Sequence, residues 1–106
     1  MKSYNKLVRD LVPGTLRASG LKVVTRTIHG KELLKALRAK IDEELVEYDA
    51  AVDDDHAAAE LVDLLEILTA IARQRGYTEA RIQELRADKA AQRGAFELGI
   101  FLVTAE

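Results

Sequence analysis

The chain has 106 residues, enough for one domain with a single small core. It has no cysteine, which excludes disulfides, thiolate chemistry, iron–sulfur clusters and zinc fingers. A formal net charge of -2 gives no basis for a nucleic-acid or membrane-surface partner. We find no apolar run as long as a signal peptide or a membrane span, and therefore expect a cytoplasmic protein.

The first 30 residues contain turn signals followed by a β-branched stretch. Pro13, Gly14 and Gly20 predict a short helix around 14–19 that ends at Gly20. The sequence LKVVTRTIHG at 21–30 then alternates β-branched and other residues, which is typical of a strand.

From Gly30 the apolar residues recur every three or four positions, which predicts two long amphipathic helices. The first helix has its apolar stripe at Leu34, Leu37, Ile41, Leu45, Tyr48 and Val52. Aspartates at 53–55 end this helix and can cap the next one. The second helix has its stripe at Leu61, Leu64, Leu65, Leu68, Ile71 and Ala72, and should stop at Gly76.

Thr78 can cap a third helix that runs to about Arg93, and GIFLVTA at 99–105 is typical of a second strand. The two strands, at opposite ends of the chain, could pair beside the helices. The resulting fold class is mainly α: an antiparallel helical hairpin, a third helix and a small two-stranded β element, in one domain spanning 1–106.

Five acidic residues of the hairpin can be placed by advancing 100° per residue around each helix. Glu44 and Glu47 share one flank of the first stripe, and Glu43 faces water on the far side. Glu60 and Asp63 lie together beside the second stripe. Because a short link makes the helices antiparallel, four carboxylates can face one another.

Such a cluster is costly unless it binds a cation, because like charges repel strongly when partly desolvated. Oxygen ligands select Mg²⁺ or Mn²⁺, with Ca²⁺ as a further option, and Mg²⁺ sites are often completed by substrate phosphates. The alternative is an ordinary solvated helix surface, with Lys40 and Glu44 forming an i, i+4 ion pair.

Three segments resemble one enzyme family. EELVE at 43–47 followed by ELVD at 60–63 looks like the E-E-x-x-E … E-x-x-D signature of the MazG-like all-α nucleoside-triphosphate pyrophosphohydrolases. YNKLVRDLVP at 4–13 and DKAAQRGAFELGIFL at 88–102 resemble both ends of its phosphoribosyl-ATP pyrophosphohydrolase-like subgroup. Leu11 stands where members often have lysine, and RGAF at 93–96 where RGGF is more usual.

The resemblance implies hydrolysis of a nucleoside triphosphate between its α- and β-phosphates, with Mg²⁺, or Mn²⁺ as an alternative. The implied metal ligands are Glu44, Glu47, Glu60 and Asp63. Glu44 and Glu47 are also expected to have a catalytic role. Glu43 matches the first letter of the motif and is kept as a catalytic candidate that orients water. The family also implies a homodimer or homotetramer, in which helices of two subunits complete a four-helix bundle.

Triphosphate chemistry requires fixed cations, because negative charge gathers on the α-phosphate and on the departing pyrophosphate. The candidates for binding substrate phosphates are Lys89, Arg93, Lys40, Lys6 and Arg9. Lys89 and Arg93 are one helical turn apart, so one phosphate can meet both, although basic residues at a helix C-terminus also suit the helix dipole.

The leading hypothesis is therefore a Mg²⁺-dependent pyrophosphohydrolase that removes unwanted or noncanonical triphosphates. Two alternatives stay open. One is the phosphoribosyl-ATP pyrophosphatase of histidine synthesis, and the other is a non-catalytic helical dimerisation module.

Overall fold

The computed structural model describes residues 2–106, and within them the chain is mainly helical. Its helices are α1 (Val12–Ala18), α2 (Gly30–Asp49), α3 (Asp54–Gln74) and α4 (Glu79–Arg93). The two long helices α2 and α3 pack against each other as a hairpin, and α4 packs more loosely against α3. The predicted helices are confirmed in number, order and approximate length.

The helix ends follow the capping residues. At the start of α3, the Asp53 carboxylate accepts a hydrogen bond of 2.8 Å from the His56 backbone N–H. At the start of α4, the Thr78 hydroxyl oxygen accepts one of 3.1 Å from the Arg81 backbone N–H. Gly76, with φ of 90°, lets the chain turn between these two helices. The link at 50–53 is short, so α2 and α3 must run antiparallel.

The hydrophobic core is small. Within residues 2–106, its buried apolar residues are Leu37 on α2 and Ile67 and Ala72 on α3. The chain exposes 9504 Å², about 3,600 Å² more than the roughly 5,900 Å² expected of a compact monomer of 11.7 kDa. Its radius of gyration is 17.9 Å, against roughly 13 Å for a compact chain of this length. A single copy therefore leaves much of its apolar surface in water.

The small two-stranded β element is the one predicted part of the fold that is wrong. Residues 2–106 contain no strand, and residues 22–28 and 99–105 pair neither with each other nor with another segment. The physical reason is that β-branched composition favours a pleated backbone only where a second backbone supplies hydrogen bonds. The single chain brings no such partner to either segment.

Among residues 2–106, the helices are all too short or too polar to cross a lipid bilayer.

Candidate metal centre

The acidic residues of the hairpin meet where α2 and α3 are packed together. Carboxylate oxygens of Glu44 on α2 and of Glu60 and Asp63 on α3 lie within 4.8 Å of one another. A second group, made of Glu43, Glu44 and Glu47 on α2, is equally close. Glu44 belongs to both groups, so it is the centre of the cluster. The three-residue steps 44–47 and 60–63 place each pair on one side of its helix.

Glu44 is the most unusual of these side chains because it is an acidic residue that is buried. It is only 6% exposed, and it is the one buried charged residue among those described. When both carboxylates are ionised, Oε2 of Glu44 has no hydrogen-bond donor, and neither has Oε2 of Glu60. Burying a carboxylate without a partner is costly unless it takes up a proton or meets a cation. The centre of the cluster therefore lacks a positive group.

The ionisation of Glu44 reflects this environment. Burial raises the pKa of the Glu44 carboxyl to about 8, helped by a hydrogen bond that its protonated form makes with Glu60. The negative charges of Glu47, Asp63 and Glu60 add to the effect. Without a cation, Glu44 is therefore largely protonated at neutral pH. A bound divalent ion would favour the ionised form and reverse this shift.

Basic side chains lie beside the outer acids of the cluster, Glu43 and Asp63, which we call its rim. The Lys6 Nζ atom lies 3.2 Å from Glu43 Oε1, and the Lys40 Nζ atom lies 3.3 Å from the same oxygen. The Arg9 Nη2 atom lies 2.9 Å from Asp63 Oδ1. The N-terminal segment therefore crosses the hairpin and binds both helices. Three of the five predicted phosphate-binding residues are thus beside the acids.

Glu43 is the residue that the helical wheel placed wrongly. It was expected to face water, but it is half-buried and bound by Lys6 and Lys40. Burial raises the pKa of Glu43, but the hydrogen bonds and positive charges of these two lysines outweigh it, so the net pKa is lowered. The Lys40–Glu44 ion pair of the alternative hypothesis does not form, because Lys40 pairs with Glu43 instead. Glu47, expected among the central ligands, is the exposed member of its group.

Lys89 and Arg93 lie apart from this arrangement. Both are exposed on the last turns of α4, where they line a shallow depression together with Gly94, Ala95 and Phe96. Neither forms an ion pair with an acidic residue within 2–106. Their role in binding phosphate stays a prediction.

The donor set fits a hard divalent cation. The group of Glu44, Glu60 and Asp63 offers oxygen atoms alone, with no nitrogen or sulfur ligand. Oxygen-only sites suit Mg²⁺, Mn²⁺ or Ca²⁺ rather than zinc. The unpartnered Oε2 atoms of Glu44 and Glu60 are two acceptors that such an ion would satisfy. The residues present can thus hold the metal that the acidic motif predicts.

Comparisons with known proteins leave the family open. No protein-family model matches the chain, and no solved structure matches it. A protein of Mycolicibacterium smegmatis described as uncharacterized is 48% identical over 52 residues, which are 49% of this chain and 53% of that protein. The chain therefore spans about half the length of this relative, and the likeness assigns it no activity.

The raised pKa of Glu44 predicts how stability depends on pH in the absence of metal. Between pH 4.5 and about 8 the folded state holds a proton at Glu44 that the unfolded state has lost. Stability from this group should therefore fall as pH rises through that window and level off above it. We expect Glu44→Gln to remove this fall and to be more stable than the wild type at pH 8 by about 1–3 kcal/mol.

The measurement is thermal unfolding followed by circular dichroism in chelator, from pH 5 to pH 9 at one protein concentration. Glu66→Gln, an exposed glutamate of α3, is the matched control and should keep the wild-type pH profile. Equal pH profiles for Glu44→Gln and the wild type would show that Glu44 is not buried as an acid.

Proposed function

We propose that this chain is a Mg²⁺-dependent nucleoside-triphosphate pyrophosphohydrolase, with Mn²⁺ as an alternative ion. The observation that carries the proposal is the buried Glu44 carboxyl, which has an unpartnered oxygen and lies within metal-bridging distance of Glu60 and Asp63. The resemblance of residues 43–47 and 60–63 to the MazG-like signature supports the same reaction. The substrate class is a nucleoside triphosphate, and the products are a monophosphate and pyrophosphate.

The ligands proposed for Mg²⁺ are Glu44, Glu60 and Asp63, with Glu47 at the solvent side. When bound, the ion supplies charge neutralisation and polarisation of the phosphates. Only Glu44 of this set is buried, so it gives the site its fixed inner position, while the more exposed acids leave an open side for substrate. Mg²⁺ is usually shared with substrate phosphates in such partly open sites.

The two glutamates at 43 and 44 have different roles in the proposal because Glu43 lies at the rim beside two lysines and Glu44 lies buried among the other acids. Glu43 is ionised at neutral pH, since Lys6 and Lys40 lower its pKa. An ionised carboxylate can accept a proton from a water molecule that attacks the α-phosphorus. Glu44, which is buried and close to Glu60 and Asp63, serves as a ligand. In this reaction, the bond between the α-phosphorus and the bridging oxygen breaks, and pyrophosphate leaves.

We propose that the cations of the N-terminal segment bind the substrate phosphates. Arg9 and Lys6 are bound to acids at the rim through exposed ion pairs, which contribute little to stability. Such weak pairs can exchange a carboxylate partner for a phosphate oxygen at little cost. Arg9 can also form a bidentate contact with phosphate, which Lys6 cannot. We propose that these two residues, with Lys40, stabilise the charge that develops on the triphosphate.

The proposed enzyme acts as a homodimer or homotetramer. The chain exposes about 3,600 Å² more than a compact monomer of its size, and stable obligate interfaces commonly bury roughly 2,000–5,000 Å² in total. One face of α3 presents Leu61, Leu65 and Leu68 to water at helical spacing. Packing of two hairpins through such faces would give the four-helix bundle that the resemblance implies.

Metal binding and hydrolysis are expected to depend on the same side chains. Mg²⁺ and Mn²⁺ should each raise the thermal unfolding temperature of the wild type, because an ion that binds only the folded state stabilises it. Asp63→Asn should fold, lose most of this shift and release no pyrophosphate. Glu66→Gln should behave as the wild type.

The measurement is a screen for pyrophosphate release over canonical, deoxy and oxidised triphosphates and phosphoribosyl-ATP, with each metal. Turnover of phosphoribosyl-ATP alone would assign the chain to histidine synthesis. If neither metal changes the unfolding temperature and no nucleotide is hydrolysed, the chain is a helical dimerisation module and the proposal fails.

Self-association has its own test. Light scattering after gel filtration should give a mass of two or four chains of 11.7 kDa. Leu65→Asp places a charge in the exposed leucine face and should shift the protein towards the monomer, with helical circular dichroism retained. Arg86→Asp, an exposed change on α4, is the control and should leave the mass unchanged. A monomeric wild type at micromolar concentration would contradict the proposed assembly.

A further inference from the structure

Two segments outside the helices have the composition of strands but pair with no second strand. They are the β-branched segment (residues 22–28, KVVTRTI) and the C-terminal apolar segment (residues 99–105, GIFLVTA). No backbone N–H of residues 22–28 or 100–105 donates a hydrogen bond to another backbone group. Both segments therefore carry rows of unpaired donors, which readily pair with an added strand.

The same segments also expose large apolar side chains. Phe101 is 88% exposed, and Ile100, Leu102 and Val103 are similarly open, as is Val24 in the β-branched segment. Monomeric proteins rarely leave such a contiguous apolar stretch in water. Unpaired backbone and exposed apolar side chains in the same residues indicate a partner that satisfies both at once, as an added strand does.

The positive charges of the β-branched segment complement the acids that flank the C-terminal apolar segment. The β-branched segment contains Lys22 and Arg26 and no acid, whereas the C-terminal apolar segment contains no charge and is flanked by Glu97 and Glu106. Arg26 is bound to Glu32 within the chain, so Lys22 is the residue left to meet an acid. Each segment therefore matches the other better than it matches a second copy of itself.

We propose that these segments pair between two copies of the chain: the C-terminal apolar segment of each copy adds as a strand to the β-branched segment of the other. The proposal rests on the self-association proposed above and specifies how the copies exchange their ends. A two-fold axis would generate the contact twice, so that both pairs of segments in the dimer are satisfied. The exposed area left by a single copy is large enough for this contact in addition to helix packing.

Because the chain has no cysteine, single introduced cysteines can test the proposal directly. Chains carrying Val24→Cys are mixed with tagged chains carrying Phe101→Cys, Leu102→Cys or Val103→Cys, and disulfides are formed under mild oxidation. Neighbouring positions cover both faces and the possible registers. At least one mixture should give roughly tenfold more tagged–untagged disulfide dimer than a control mixture, because pairing raises the local thiol concentration. In the control, Arg86→Cys on α4 replaces Val24→Cys.

One further measurement uses the wild-type protein, and another combines two of the cysteines in one chain. In wild-type protein, amide hydrogen exchange at 22–28 and 100–105 should be slowed by about tenfold or more, with the protection lost on dilution. Free exchange of both segments in a protein whose mass is that of a dimer would overturn the exchange of ends while leaving self-association intact. A Val24→Cys/Leu102→Cys chain that cross-links only within itself, as a monomer, would also overturn it.

Discussion

The burial of Glu44 between α2 and α3 is the constraint on which the site depends. Its carboxyl is closed off from water by the packing of the two helices, and three acidic neighbours add negative potential to the same place. A charge in that position requires either a proton or a cation. The sequence could have filled this position with leucine, which would pack at lower cost. A buried acid kept among other acids is therefore more readily explained by binding than by stability.

The N-terminal segment connects this constraint to the rest of the chain. It lies outside the hairpin, yet Lys6 contacts Glu43 on α2 and Arg9 contacts Asp63 on α3. These pairs neutralise the rim of the cluster and leave its centre without a positive group. Exposed ion pairs are weak, so the segment is held loosely enough to move when another charged group enters. A chain built only for stability would gain more by placing a cation on Glu44 itself.

The local part of the structure could be predicted from the sequence, and the long-range part could not. Helix ends followed from Asp53, Thr78 and Gly76, because capping and turn chemistry depend on a few neighbouring residues. The meeting of acidic residues from α2 and α3 followed from 100° per residue and a short link. The contacts of Glu43 did not, since a helical wheel describes one helix and omits the segment that crosses it.

The prediction of two paired strands was wrong for a related reason: it too depended on contacts between distant parts of the chain. Residues 22–28 and 99–105 have the composition of strands, but the pairing of strands is a property of two backbones and cannot be read from one. The exposed leucine face of α3 shows the same effect in a helix. Leu61 and Leu65 fit the spacing of a buried stripe, but no second helix covers them. Both discrepancies indicate surface that a single copy leaves uncovered.

Assembly and metal binding use different sides of α3. Glu60 and Asp63 face the cluster that Glu44 of α2 completes. The centre of the exposed face formed by Leu61, Leu65 and Leu68 lies roughly 100° around the helix from Glu60 and roughly 170° from Asp63. A divalent ion would join oxygens of both helices and so stabilise the hairpin, whose exposed leucines a second copy would cover. An ion that bound the assembled form more tightly would, by linkage, favour assembly to the same degree. The acidic cluster lacks a positive group and the leucine face lacks apolar contact, so a single copy leaves both incomplete.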